Sequence, residues 1–389
     1  MADSMQNYGL VRKSAGHAVL KPIPLPRLLD DYVLIRVVTV AINPTDWTTL
    51  EATGDDGTLV GCDWAGIVEK IGPAVTKDLR VGDRVAGCAH GGNDANPETG
   101  AFARYIISKG DLVVRIPDAV TWEEAATVGV ALITVGLALY HFLRLPLPST
   151  NEKPIQENES AAPILIYGGS TATGTIAIQF AKLSGRKVLT TCSEKNLKLV
   201  IDRGADIVYD YHNPKVGEQI RADTQNQLTQ VLDTVAIEST AAICSDAIST
   251  EGGTYVNLLG IEIPRLNVGS IFFLGYSVSG ESYIFEGERY PAEPTYYAFG
   301  KEFLGIAEKL WSEGKWKSHP ERVGPGGLLG AIAGMQEMKE GKVSGEKLVY
   351  RVDETEQHRE QVHGLFDLAA AVVLSAEHDR RLRWVISSQ

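Results

Sequence analysis

The chain has 389 residues, 44% of them hydrophobic and 22% charged, and its 37 basic and 49 acidic side chains give a net charge of −12. That length allows two domains with buried cores; the composition excludes a disordered chain, and the acidic balance argues against a nucleic-acid partner. Cysteines 62, 88, 192 and 244 form no pairing framework, residues 1–7 lack a basic-then-apolar signal, and no apolar run could span a bilayer, so a cytoplasmic protein is expected.

The first stretch is rich in short β-branched segments. Val33–Val40, Gly61–Val68, Val81–Gly87 and Ala103–Ile107 are broken by Gly-Asp and Gly-Pro turns, which predicts a compact antiparallel barrel. Thr121-Trp122-Glu123-Glu124 has the spacing of a capping box, so a helix is expected to open there and carry Ala125 to His141 toward the next domain. The polar stretch from Pro146 to Ala162 is expected to be a surface loop.

Beyond it lies Pro163–Tyr167, an apolar run that reads as a buried parallel strand. Gly168-Gly169-Ser170-Thr171-Ala172-Thr173-Gly174 follows, and then Thr175–Ala181 with helical spacing. A glycine-rich turn between strand and helix aims backbone N–H groups and a helix N-terminus at an anion, which is how a Rossmann unit holds a dinucleotide pyrophosphate. Three further strands are expected at 205–211, 230–235 and 253–259, with helices near 214–224 and 239–249 between them. Alternation of this kind implies a doubly wound parallel sheet with its ligand crevice beyond the strands' carboxyl ends, where Tyr211 and Leu258-Leu259 fall.

The second strand, Arg186–Cys192, ends against Ser193-Glu194-Lys195-Asn196. NAD sites place an acidic ribose ligand near this point. A hydroxyl and an ammonium, Ser193 and Lys195, suit a 2′-phosphate instead and predict NADPH over NADH. Glu194 is the contrary sign, and Lys195 as a plain solvated side chain is the alternative. Lys347–Val352 is expected to close the first domain, and 354–389 to form an appended helix or tail.

A Gly-Asp-Arg-Val barrel, a linking helix, a Rossmann unit and a closing strand resemble the medium-chain dehydrogenase/reductase superfamily over about residues 8–353. Asn43-Pro44-Thr45-Asp46-Trp47, Tyr167–Gly174, Ser193–Asn196 and Val343-Ser344-Gly345 are similar more narrowly to the trans-acting enoyl reductases of fungal polyketide synthases, of the lovastatin-pathway type. The resemblance implies a GroES-like barrel over 1–125, a Rossmann NADPH domain over 126–295 and a return to the barrel over 296–353. It implies NADPH-dependent reduction of the α,β double bond of an acyl chain on a polyketide synthase carrier protein, the synthase being a synthase–peptide synthetase hybrid in some systems.

By the same resemblance Thr45, Asp46, Trp47, Thr48, Ser170, Thr171, Ala172, Thr173, Ser193, Glu194, Lys195, Asn196, Tyr211, Leu258, Leu259, Val343 and Ser344 line NADPH. Thr134, Val135, Gly136, Leu137, Ala138, Leu139, Tyr140 and His141, with Val278, Ser279, Gly280, Glu281 and Ser282, line the acyl chain. Plain helix core is the alternative for Val135, Leu137, Ala138 and Leu139. An open interdomain cleft is expected, with Gly136 and Gly280 admitting the chain.

Zinc-dependent members carry a His and a Glu where this chain has Cys62 and Asp63, and Asn43 replaces a ligand Cys. Three converging ligands are then missing, no metal is expected, and the histidines, His90 among them, read mostly as surface or satisfied residues. Relatives often carry a lysine where Thr48 stands, so the proton donor is open. The segment 266–276 is interrupted by Gly269 and Gly275, which mark bends or bulges; with what the relatives imply, a monomer is expected. A free-standing quinone or enone reductase and a non-redox auxiliary protein are the competing readings.

Overall fold

The computed structural model describes residues 6–52, 54, 56–150 and 161–355. The expected surface loop therefore lies largely outside the described residues, as does the expected tail beyond Thr355.

The chain opens with a hairpin, β1 (Asn7–Ser14) and β2 (His17–Ile23), followed by β3 (Tyr32–Ala41), α1 (Pro44–Glu51), β4 (Asp63–Ile71), β5 (Arg84–Cys88), β6 (Tyr105–Lys109) and β7 (Val114–Arg115). The ten-residue β3 is the spine: β4, β6 and the late strand β17 (Lys347–Arg351) all pair with it antiparallel. Register shifts in the β3–β4 ladder between Leu34 and Ile35, and between Val37 and Thr39, bend the sheet around its core. That core holds Trp64, Phe102, Ile35 and Val40. The sheet is not wholly antiparallel as expected, since β16 (Glu321–Gly324) joins the end of β17 in parallel.

The expected single helix from Ala125 to His141 is in fact three pieces. The capping box forms, with the Glu124 N–H donating to Thr121 Oγ1 at 3.2 Å and the Thr121 N–H to Glu124 Oε2 at 2.9 Å. The helix it opens, α2 (Trp122–Ala126), stops after five residues. A new helix, α3 (Gly129–Val135), starts where Gly129 lies directly on β5, so close that a Cβ would stand 2.2 Å from Gly87 O. The N-terminus of α3 is held by Asp63, whose Oδ1 accepts the Val130 N–H at 2.6 Å. Residues 136–142 then widen into a π-type turn that ends with the Leu143 N–H donating to Ala138 O at 2.9 Å.

The second unit runs β8 (Pro163–Tyr167), α4 (Ala172–Leu183), β9 (Lys187–Cys192), α5 (Leu197–Asp202), β10 (Ile207–Asp210), α6 (Val216–Asp223), β11 (Gln230–Asp233), α7 (Glu238–Ala247), β12 (Gly253–Asn257) and β13 (Val268–Phe272). All six strands are parallel, in the order β10-β9-β8-β11-β12-β13, which is the doubly wound Rossmann order. Strand alternation splits the core: Ile164 and Ile166 face α4, whereas Leu165 and Tyr167 face α6 and α7. The edge strand β13 passes through Gly269 in unbroken register, so the expected bend is absent there; Gly275 instead opens a 3₁₀ turn to Ser279.

A small hairpin, β14 (Tyr283–Phe285) and β15 (Glu288–Tyr290), leads into α8 (Pro294–Ser312), and α9 (Gly327–Lys339) precedes β17. The apolar face of α8 (Phe303, Leu304, Ala307) shares one core with α3 and α4. The two units are therefore joined by buried packing rather than by a linker. No helix among the described residues is long and apolar enough to cross a membrane.

Candidate functional site

The turn after β8 is built to leave donors free. Gly168 has φ +76°, a conformation that favours glycine, and Gly174 lies so close that a Cβ would sit 2.3 Å from Gly168 O. The Gly168 and Gly169 N–H groups are used on β9, donating to Thr191 Oγ1 at 3.0 Å and Thr191 O at 2.9 Å. Thr171 is the N-cap of α4, its Oγ1 accepting the Gly174 N–H at 2.9 Å and donating to Thr234 Oγ1 at 2.9 Å. Thr171 therefore shapes the turn. Ser170, Ala172 and Thr173 are half-buried just beyond the carboxyl end of β8, and helix geometry leaves the Ala172 and Thr173 N–H groups without an intrahelical acceptor. A pyrophosphate fits that cradle.

Next to it, at the end of β9, Ser193 precedes a 3₁₀ turn carrying the exposed Glu194 and Lys195. Asn196 turns inward and donates to Ser344 Oγ at 3.1 Å, bringing the Val343-Ser344-Gly345 segment onto the nucleotide edge. Tyr211 and Leu259 stand exposed at the tips of β10 and β12, while Leu258 is partly packed into the core. These residues converge along one rim, the carboxyl ends of the strands.

The α1 set is divided. Thr45 faces the interdomain cleft, its Oγ1 lying 2.8 Å from the Tyr276 hydroxyl. Asp46 does not line the crevice: it is buried, and its Oδ2 accepts the Asn43 N–H at 2.7 Å. Burial, with Asp63 nearby, pushes its carboxyl up to about 7. Trp47 packs on the barrel core, with Lys339 over its ring. Thr48 spends its hydroxyl on its own helix, donating to Thr45 O at 3.3 Å.

Beneath α1 lies a buried ion pair that sequence reasoning missed. The Lys347 ammonium contacts Asp63 Oδ2 and donates to Asn43 Oδ1 at 2.8 Å, with both charged side chains almost fully buried. Asn43 and Asp63 are the positions compared with zinc ligands above. Their oxygens are occupied by an ammonium and by the Val130 N–H, and burial, reinforced by Asp46, pushes the Cys62 thiol well up and keeps it protonated. A cationic group already fills this donor set, so it does not fit a zinc ion. Among the described residues no group of three or more His, Cys, Asp or Glu could hold a metal.

A cavity of about 80 Å³ lies between the units and opens to solvent. Val278, Ser279, Glu281 and Ser282, which the resemblance assigns to the acyl chain, line it together with Tyr32, His90, Lys109, Leu112, Ile133 and Tyr276. Thr134 to His141 do not line it. Val135, Leu137, Ala138 and Leu139 are fully buried core, and the Tyr140 hydroxyl sits between Phe180 O at 3.1 Å and Ser184 Oγ at 2.9 Å. Gly136 faces Phe303, to which a Cβ would approach within 2.5 Å, so no acyl chain reaches it. His141 joins an aromatic cluster with Phe142, Tyr296 and Phe299. Gly280 has φ +72° and points at Tyr297, not into the cavity. The reason is α8, which covers the expected substrate helix.

His90 is neither surface nor satisfied. Its ring stacks on Tyr276 with centroids 3.6 Å apart, its Nε2 is buried with no partner among the described residues, and burial lowers its pKa to about 3. No local pattern marks His90 or Tyr276, because only the folded cleft brings residues so distant in sequence together. Across the cavity mouth, Lys109 contacts Glu281 and lies 2.8 Å from Asp31. The Tyr32 hydroxyl donates to Glu281 Oε2 at 2.7 Å, so the 3₁₀ turn's end is tied to the barrel.

Comparison with known proteins fits this geometry. Residues 29–118 match the family described as the alcohol dehydrogenase GroES-like domain, and residues 172–291 match the one described as zinc-binding dehydrogenase. The chain is 43% identical over 346 residues to the trans-enoyl reductase ACTTS2 of Alternaria alternata, covering 88% of this chain and 98% of that protein. It is 49% identical over 279 residues to the trans-enoyl reductase TOXD of Cochliobolus carbonum, covering 72% and 92% respectively. Among solved structures, the CurK enoyl reductase superposes with a TM-score of 0.70 at 20% identity, covering 89% of this chain and 99% of that one. Mycobacterial Rv1454c complexed with NADPH gives a TM-score of 0.65 at 20% identity, with the same coverage.

Proposed function

The chain belongs to the trans-enoyl reductases of the medium-chain dehydrogenase/reductase superfamily, and from that premise we propose that it reduces the α,β double bond of a polyketide acyl chain presented by a synthase's carrier protein, using NADPH. The observation that carries the reading is the Lys347–Asp63–Asn43 cluster. An ammonium where a catalytic zinc would need its ligands takes away the Lewis acid that alcohol oxidation requires. Hydride addition to an activated double bond needs no such ion, only orientation and a proton source.

NADPH supplies the hydride when bound. The Ser170–Thr173 turn would hold its pyrophosphate and Thr45 would face its nicotinamide end. Ser193 and the exposed Lys195 support a 2′-phosphate in place of a bare ribose. The part-apolar cavity lined by Leu112, Ile133 and Val278 suits an acyl chain, and it opens between the two units where a carrier could deliver one. We further propose that the protein works as a monomer in the cytoplasm, where its four free cysteines stay reduced.

The test is NADPH consumption with a (2E)-enoyl pantetheine thioester beside a simple quinone. Turnover of the thioester, with the quinone a poor substrate, is the expected outcome. Lys195→Ala should raise the NADPH dissociation constant about tenfold while leaving NADH binding unchanged. Efficient quinone reduction with no thioester turnover, or equal affinity for both cofactors in the unmodified protein, would overturn the proposal.

A further inference from the structure

The proton that completes an enoyl reduction has no evident donor where Thr48 replaces a lysine, since the Thr48 hydroxyl is spent within α1. A row of hydroxyls nevertheless leads away from the cleft wall. Tyr276 lines the cavity, its hydroxyl 2.8 Å from Thr45 Oγ1, and Thr45 Oγ1 lies 3.3 Å from Thr49 Oγ1 one turn further along the same helix. Thr49 in turn borders a second small cavity, lined also by Asp46, Arg12 and Gly92. The row therefore runs from the substrate cavity to a separate space inside the barrel.

The Tyr276 proton is the loosely held one. Besides Thr45, the hydroxyl's other neighbour is Cys62 Sγ at 3.6 Å, a weak acceptor. With Thr45 donating to the phenol oxygen, the Tyr276 O–H is held only by the Cys62 sulfur, a partner that a substrate enolate can outcompete. The ring is fixed by its stack on His90, whose buried and unpartnered Nε2 is a second polar group without a protein partner beside the same cavity. Burial keeps the phenol protonated. The titratable groups around it are His90, Cys62, Cys88 and, behind Cys62, Asp46.

We propose that Tyr276 is the catalytic proton donor to the substrate's α-carbon, recharged through Thr45 and Thr49. The assignment rests on the enoyl reductase reading. The β-carbon receives the hydride and its electron pair from NADPH, which leaves as NADP⁺; the carbon–carbon π bond breaks and an enolate forms. The α-carbon then takes the Tyr276 proton, forming the second C–H bond. The phenolate takes the Thr45 proton, Thr45 takes that of Thr49, and Thr49 is restored by water. Thr45 and Thr49 are positioning residues in this scheme.

The experiment uses the full chain, with NADPH and a (2E)-enoyl pantetheine thioester for turnover. Separately, without cofactor, acetoacetyl pantetheine is bound and the absorbance of its enol form is followed. Tyr276→Phe keeps the stacked ring and should lower kcat by about 10²-fold, with the NADPH dissociation constant unchanged and the enol absorbance seen on the unmodified protein lost. Thr49→Val should lower kcat with KM unchanged and alter the solvent isotope effect, and Thr49→Ser should restore both. A Tyr276→Phe protein turning over within about threefold of the original, one losing NADPH affinity in parallel, or Thr49→Ser behaving like Thr49→Val would each overturn the proposal. If the unmodified protein reduces no enoyl thioester yet shows Tyr276-dependent enol absorbance, the enoyl reductase reading falls, while the siting of the Tyr276 hydroxyl against an enolised thioester stands.

Discussion

Replacing Lys347 by methionine tests whether the buried ion pair organises the site. The side chains of Lys347 and Asp63 are only 3% and 0% exposed, so the change leaves a buried carboxylate whose remaining partner is the Val130 N–H at 2.6 Å. Removing one member of such a pair costs about 3–5 kcal/mol, while replacing both by apolar groups is often close to neutral. Lys347→Met should therefore lose about 3–5 kcal/mol in urea unfolding, followed through Trp64, which is fully buried in the same barrel core. Lys347→Met/Asp63→Leu should lose much less than the sum of its two single changes, the excess being the coupling energy. The loss should fall on the barrel transition, since Asn43 caps α1 while Asp63 and Lys347 sit on β4 and β17. A Lys347→Met protein within about 1 kcal/mol of the original, or strict additivity in the cycle, would show that the pair is not the clamp described here.

Asp46, pushed up by burial from 3.8 to about 7, holds its proton in the folded state where the unfolded chain has released it. Stability should therefore fall as pH rises from about 4 to about 7, by about 4 kcal/mol in all at roughly 1.4 kcal/mol per unit. Asp46→Asn should flatten that slope, which urea midpoints at pH 5 and pH 8 would show. Gly136→Leu should destabilise the fold by about 1–3 kcal/mol or more through its clash with Phe303, with NADPH affinity and thioester KM unchanged in the protein that does fold. Ser282→Trp, which points into the cavity wall, should raise KM for long enoyl thioesters more than for short ones and leave NADPH binding alone.

Local chemistry made the glycine turn and the strand tips around it legible. A glycine turn, the strand before it and the helix after it are contiguous, so spacing alone places Ser170, Ala172 and Thr173, and the same holds for Ser193 and Lys195 at the end of β9. The closing strand was readable for a similar reason, as a short apolar run, Leu348-Val349-Tyr350, between charged residues. The substrate wall was not. Residues 134–141 have the apolar spacing of a helix that could equally face a cleft or a core, and only α8, folded back from 294–312, decides for the core. Asp63 and Lys347 are 284 residues apart; each alone reads as an ordinary charged side chain. Their pairing is a property of the barrel's closure.

That closure also explains why a site built for metal chemistry can change reaction without changing fold. β17 is held to β3 by Val349 to Arg351 whatever stands at position 347, so the strand delivers a side chain to the space between Asn43 and Asp63 at no cost to pairing. A lysine there neutralises Asp63 and occupies the oxygens a zinc ion would need. The hydroxyls of Thr45 and Tyr276 lie on the cleft side of the same cluster. Polarisation by a cation is thereby exchanged for hydrogen-bond donation into a largely apolar cavity, where each such donor acts more strongly than it would in water. An enolate needs a proton delivered to carbon, and a row of hydroxyls beside the cavity supplies what a buried ammonium, locked to Asp63 and Asn43, does not.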